Sequence, residues 1–226
     1  MSAIPEGPWL NLGSDQTDAE GWVHLDGSWQ TRLSRRPWLG RLSSRLLERQ
    51  AVTWSPRVSY WNARRGIPYE SDSVAVVYAS HLVEHLYRDE ALSLVRDALR
   101  VLRPDGVCRV IVPDVAAIVR WYLEHRQQDP RPAEAASDVL NDLLGLRMRS
   151  GPERALLGFY RRWTDLGQHK WMYDEEGPMA LLREAGFTRP VARGYLESDI
   201  PRDLLARVEK RERVVDGAGV CVESRK

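Results

Sequence analysis

A doubly wound α/β domain, built on a seven-stranded and mostly parallel sheet, is the fold class this sequence predicts. Three observations predict it. Val74 to Ala79 is a short, nearly unbroken apolar run with β-branched residues, the pattern of a strand buried on both faces. Val107 to Val112 repeats that pattern, and the stretch between carries apolar residues at helical spacing, so the three form one βαβ unit. Two strand-like segments precede this unit, one sits immediately before it, and two more close the chain.

Taken in order, Trp9-Leu10-Asn11-Leu12-Gly13 reads as a first strand running into a glycine turn. Trp22 to Asp26 reads as a second strand ending in a carboxylate. A glycine after the first strand lets the backbone approach a ligand, and an acid at the tip of the second can accept hydrogen bonds from ribose hydroxyls. The alternative is that Gly13 only makes a turn and Asp26 only caps one. Ser14 to Glu20 is too short for a long first helix. Thr31 to Arg57 is arginine-rich, with Arg32, Arg35, Arg36, Arg41, Arg45, Arg49 and Arg57, and Leu39, Leu42, Leu46 and Leu47 suggest a short amphipathic helix. Such a face is either simply solvated or recognises a carboxylate or phosphate through the guanidinium fork.

Val58 to Ala63 gives the third strand and its exit, and Val74 to Ala79 the fourth. The spacing predicts a helix over Ala91 to Leu102, with Leu92, Val95, Leu99 and Leu102 on its apolar face and Leu94, Ala98 and Val101 beside them. Asp89 and Glu90 favour its positive N-terminal end, and Pro104-Asp105-Gly106 stops it and turns the chain. After the fifth strand, Val115 to Arg126 reads as helical, then a polar break with two prolines, then helices over Ala133 to Leu146 and Pro152 to Trp163. This insertion, about 115–170, brings Trp121, Tyr122, Phe159, Tyr160, Trp163 and Trp171, which either pack a small helical subdomain or line a substrate pocket. A helix opening at Asp174-Glu175-Glu176 runs through Leu181, Leu182 and Ala185 to a Gly186 C-cap. Val191 to Tyr195 and Gly219 to Glu223 are the last strands, and residues 1–226 are expected to form one domain.

Composition bounds the function. The 226 residues suffice for a full core, and 43% hydrophobic with 29% charged residues describes a globular chain. A formal net charge of +1 offers no extended field for nucleic acid, and no apolar run approaches a membrane span. The first residues do not resemble a signal peptide, and Cys108 and Cys221, each inside a strand, read as buried free thiols, so a cytoplasmic protein is expected. Nine tryptophans suit a core or an apolar substrate pocket.

The string Ile67-Pro68-Tyr69-Glu70-Ser71-Asp72-Ser73 to His81-Leu82-Val83-Glu84-His85, then Arg100-Val101-Leu102-Arg103-Pro104-Asp105-Gly106 to Asp114, resembles class I S-adenosylmethionine (SAM)-dependent methyltransferases. It is most similar to a compact bacterial, type 11-like branch, and the match is specific from Arg64 to Asp114. The resemblance implies a Rossmann-like sheet finished by an antiparallel terminal strand pair, a helical substrate lid at the insertion, SAM as cofactor and S-adenosylhomocysteine as product. It implies that Asn11, Gly13, Ser14, Asp26, Asn62, Ala63 and Ser80 hold the cofactor, with Asn62 where the family carries an acid for the adenine amino group. The second glycine of the family's first motif stands here as Asp15.

Methyl transfer to an alcohol or ammonium acceptor also needs a base. His81 follows the fourth strand at its carboxyl end, where open α/β sheets bind ligands. His81, Glu84 and His85 lie at i, i+3 and i+4 and share a face if the segment is helical. His85 and His169 are the competing bases, and Asp114, Trp121, Trp163 and Trp171 the candidate acceptor contacts. Two other classes remain. The His81–His85 pattern matches the H-x-x-E-H zinc metalloproteases, whose context is a helix; a methyltransferase-like scaffold without catalysis is the other. The expected reading is an O- or N-methyltransferase acting on a small soluble metabolite, with no metal and no nucleic-acid or membrane partner.

Overall fold

In the computed structural model of the chain, the structure describes residues 3–28, 31, 55–126, 139–141, 143–145, 168–215, 217 and 219–226. Seven strands form one sheet: β1 Trp9–Leu12, β2 Val23–Asp26, β3 Val58–Tyr60, β4 Val74–Ser80, β5 Leu102–Pro113, β6 Val191–Ala192 and β7 Gly219–Arg225. Their order is β3-β2-β1-β4-β5-β7-β6. β1 to β5 pair in parallel, while β7 pairs antiparallel with both β5 and β6, the expected terminal pair. The labelled helices are α1 Arg88–Val101, α2 Val115–His125, α3 Glu176–Ala185 and the single turn α4 Arg202–Leu205.

β4 is buried at every residue, which is why its sequence reads as an apolar run rather than an alternation. From Val76 onward, alternate residues feed two different cores. Val77 and Ala79 join Leu10, Leu12, Val110 and Val112 beneath α1 and α3. Val76 and Tyr78 join Trp22, Ile111 and Cys221 on the other face, where Ile200, Leu205 and Val208 cover them. That second layer is the segment between β6 and β7, which the sequence pattern does not predict.

The boundaries differ from the sequence reading in instructive ways. α1 starts earlier, at Arg88, because Glu90 reaches back and its Oε2 accepts from the Tyr87 amide at 3.1 Å. Its buried face is Ala91, Leu94, Val95, Ala98 and Val101, so the stripe is rotated and Leu92 and Leu99 lie at its margin. Pro104-Asp105-Gly106 does not separate helix from strand. The strand already pairs at Leu102, and the turn is absorbed as a bulge of β5 opposite Val74–Val76 of β4, with Asp105 at φ +63°. β6 is two residues long and stops before Tyr195. Gly186 caps α3 in the left-handed region, as expected. Residues 139–141 and 143 are helical; the arginine-rich helix and the Pro152–Trp163 helix lie outside the described residues, as do Phe159, Tyr160 and Trp163. Both cysteines are free and buried, and burial pushes the Cys108 thiol up to about 12 and raises Cys221 as well, which makes them unreactive.

Candidate active site

Strand order reverses between β1 and β4, so a crevice opens at their carboxyl ends, the general ligand position of such sheets. Register sets Leu12 beside Ala79 and Ser80 beside Ile111. The residues that leave these tips therefore converge: the Gly13 loop, the His81–His85 segment and Asp114.

Gly13 leaves β1 at φ +67°, and its amide donates to the Leu25 carbonyl at 2.8 Å. A Cβ there would lie 3.1 Å from the Leu82 Cβ. Leu82 is a site residue that no sequence signal marks. Gly13→Ala is expected to lose about 1–2 kcal/mol of stability, the cost of a side chain in the left-handed region, before any crowding of Leu82. Urea denaturation checks this.

Asp15, where the family pattern has glycine, adopts φ +52°. Aspartate is one of the few residues that tolerate that region, so the substitution keeps the backbone path. The Asp15 amide donates to Asp26 Oδ2 at 2.9 Å and the Ser28 amide to Oδ1 at 2.7 Å. Asp26 thus caps the turn and fixes the glycine loop at once, and each oxygen keeps a second lone pair for a ligand. Burial raises its pKa above the ordinary 3.8. Ser14 Oγ is buried with no hydrogen-bond partner. An orphaned hydroxyl, a cradle open only to glycine and a carboxylate with spare acceptor capacity fit the polar end and ribose of a nucleoside cofactor.

The other expected cofactor residues divide. Ser80 is buried at the tip of β4. Asn62 Oδ1 accepts from the Arg64 amide at 3.0 Å and caps the turn that begins at Ala63, with one lone pair left for a ligand. Asn11 turns inward: its Nδ2 donates to Nδ1 of the buried His24 at 3.2 Å, so it ties β1 to β2. A cleft of about 710 Å³ lies between Ala63–Gly66 and α1, lined in part by the Arg64–Glu90 and Arg100–Asp97 pairs, and none of the histidines lines it.

The histidine segment is not a helix. His81 stands at φ +55° with its amide on the Ile111 carbonyl at 2.9 Å, and only Val83–His85 form a short 3₁₀ turn. The shared helical face expected for His81 and His85, and the helical context of a zinc protease, are therefore lacking. His81 Nδ1 lies 3.4 Å from Oε1 of Glu84, whose side chain is fully buried, and Nε2 lies 3.4 Å from the Arg213 carbonyl. His85 faces His169 instead, with ring centroids 4.9 Å apart. Burial lowers the pKa of His169, and the nearby His85 and His81 add to that, against Glu84.

Asp114 caps α2, its Oδ1 accepting from the Ala116 amide at 2.9 Å. Trp121 stacks on His125 of its own helix at 4.6 Å, and Trp171 is 47% exposed beside the histidine pair. Trp163 lies outside the described residues.

Residues 43–110 match the family model of a methyltransferase domain. No curated protein is significantly similar to the chain. Among solved structures it is similar to a SAM-dependent methyltransferase from Archaeoglobus fulgidus, 12% identical over 99% of this chain and 87% of that one, with a TM-score of 0.51. A possible histamine N-methyltransferase from Thermotoga maritima is 16% identical over 99% of this chain and 84% of its own, with a TM-score of 0.47. The family match supports SAM as the cofactor. Residues 43–110 thus match a methyltransferase domain, and the chain shares its fold with the Archaeoglobus fulgidus structure.

Proposed function

We propose that this protein transfers a methyl group from SAM to an oxygen or nitrogen of a small soluble metabolite in the cytoplasm, releasing S-adenosylhomocysteine, with His81 as the general base. The observation that carries the reading is the union, at the β1/β4 crevice, of the Gly13–Asp26 loop with the Glu84–His81 pair. SAM supplies an electrophilic methyl group on a sulfonium. The chain's own residues do the rest. The Gly13 backbone and Ser14 hold the polar end of the cofactor, Asp26 the ribose through its spare lone pairs, and Asn62 and Ala63 the adenine. The His81 imidazole takes the acceptor's proton, and the buried Glu84 carboxylate, 3.4 Å from Nδ1, stabilises the imidazolium. Asp114, Trp121, Trp163 and Trp171 border the acceptor, in a single domain with 115–170 as its lid. Tryptophans beside an arginine-rich segment favour a medium-sized acceptor with an acidic group: a sugar, a peptide or a secondary metabolite. Nucleic acid is disfavoured by the net charge of +1, and among the described residues no helix is long and apolar enough to cross a membrane.

Calorimetry with SAM and S-adenosylhomocysteine tests the reading. Binding of both is expected. If folded protein binds neither at millimolar concentration, the scaffold alternative takes its place. Asp26→Ala should weaken SAM binding by about 1–3 kcal/mol, the range for a charged hydrogen bond.

The pH dependence has a definite sign. The charged Asp26 carboxylate is the ribose acceptor, so affinity falls as pH drops through its raised pKa, at a higher pH than for an exposed aspartate. Stability runs the other way. A folded pKa raised by burial gives a contribution fully present below the unfolded value of 3.8 and lost as pH rises through the folded one. SAM titrations and urea melts across the acidic range check the two opposite slopes.

A further inference from the structure

Behind His81 the structure gathers a second set of groups that shares only Glu84 with the proposed His81–Glu84 pair. A carboxylate oxygen of Glu84 and one ring nitrogen each from His85 and His169 lie within 4.8 Å of one another. Three buried polar atoms in this set, both Glu84 oxygens and His169 Nδ1, have no hydrogen-bond partner. The nearest approach to Glu84, from His81 Nδ1 at 3.4 Å, is longer than an ordinary hydrogen bond of this kind. Leaving a buried acceptor unsatisfied costs roughly 1–3 kcal/mol, more when it is charged. A fully buried carboxylate with both oxygens unpartnered, beside two imidazoles, marks a missing partner rather than a packing accident.

The surroundings prepare the set as ligands. His85 Nδ1 lies 3.2 Å from the Gln168 carbonyl, which can only accept, so Nδ1 carries the proton and the lone pair is left on Nε2. The Glu84 carbonyl accepts from the Lys170 amide at 2.6 Å and the Trp171 amide at 3.2 Å. Main-chain bonds thus hold the 168–171 segment, and His169 with it, against the turn that carries Glu84 and His85. Gly145 lies against the His169 ring, where a Cβ would come within 2.6 Å of Nδ1.

We propose that Glu84, His85 and His169 bind one divalent transition-metal ion of the zinc class. Two imidazoles and a carboxylate are a borderline donor set that suits zinc and its neighbours; magnesium and calcium prefer oxygen alone. Tetrahedral zinc with bonds of ~2.0 Å holds its donors ~3.3 Å apart, a contraction that rotation of the two imidazoles supplies. Three protein ligands leave a fourth position open, and both histidines are partly exposed. His81 stands outside the set, so this is a different site from the one its H-x-x-E-H spacing suggests. The inference does not depend on methyl transfer.

The test uses the full chain, stripped with a chelator, shown folded by circular dichroism, and titrated with Zn²⁺ by calorimetry. One equivalent per chain is expected. Glu84→Gln, His85→Ala and His169→Ala should each weaken binding by at least about 100-fold, beyond the 10–100-fold that outer-shell changes cost, while His125→Ala binds as wild type does. Should the variants not fold, Co²⁺ added to the wild type should give tetrahedral visible bands without thiolate absorption. Failure of the wild type to bind zinc or cobalt, thiolate absorption, or undiminished affinity in His85→Ala and His169→Ala overturns the proposal. SAM titration of the same samples separates its failure from that of the methyltransferase reading.

Discussion

His81→Ala is expected to lower turnover by roughly 10²–10⁴-fold while leaving SAM affinity nearly intact. The reason is positional. A histidine at φ +55° sits in a backbone region that costs energy, and its amide is tied to Ile111 on the neighbouring strand, so the side chain is held at the tip of β4. A fully buried carboxylate 3.4 Å from Nδ1 gives the imidazolium a counter-charge when the ring takes a proton. Removing the base should therefore depress kcat and kcat/KM together, since the interaction exists only in the transition state. The measurement is steady-state kinetics on an accepted substrate with calorimetric SAM affinity alongside. His85→Ala and His169→Ala are the comparison: their zinc content, measured with turnover, separates loss of metal from loss of a base. Wild-type turnover in His81→Ala would remove this histidine from the mechanism and leave transfer to proximity or to the other two.

The βαβ unit was legible because its physics is local. Residues 74–80 lie between two apolar layers, so the strand shows as an unbroken run, and α1 shows its stripe because one side packs on the sheet. The Gly13 turn and the carboxylate at Asp26 were legible because each is a single residue at a strand tip. The histidine cluster was only half legible. Spacing alone put His81 and His85 on one face, but a helical pattern needs helical dihedrals, and the φ of His81 turns the chain away. The partner that His85 does find comes from the far end of the insertion: its contact at Gln168 spans 83 residues of sequence. No periodicity encodes a contact of that range. The bond that Asn11 makes was not legible for a related reason: its direct neighbour across the sheet is His24, and register is a property of the pairing and not of the strand alone.

Arg109→Met is expected to destabilise the protein by about 3–5 kcal/mol, the cost of breaking a buried ion network by removing one partner. In the sequence Arg109 is a single charge inside the apolar fifth strand; in the structure it is fully buried and all five of its donors are used. Nε and Nη2 grip the two oxygens of Glu209 at 2.7 and 3.0 Å, Nη1 reaches Glu223 at 3.1 Å and the Glu197 carbonyl at 2.8 Å, and Nη2 also holds the Gly194 carbonyl at 3.0 Å. Glu209 in turn accepts from the Leu196 amide at 2.6 Å, and Glu223 from Ser198 and from the Asp199 amide. One guanidinium thus fastens the whole segment between β6 and β7 onto the second face of the sheet, where Ile200, Leu205 and Val208 complete the core. Methionine fills most of the volume but leaves two buried carboxylates without their cation, so the loss measures charge and not a cavity. Arg109→Lys keeps the charge, loses the fork, and should fall between the two. The sign test is the triple variant Arg109→Met, Glu209→Gln, Glu223→Gln. It removes the stranded charges and should be more stable than Arg109→Met alone, a non-additivity confined to residues in contact. Urea denaturation at constant m reads all three. A triple variant less stable than the single one would mean that the carboxylates anchor the segment through their amide partners and that the arginine is secondary.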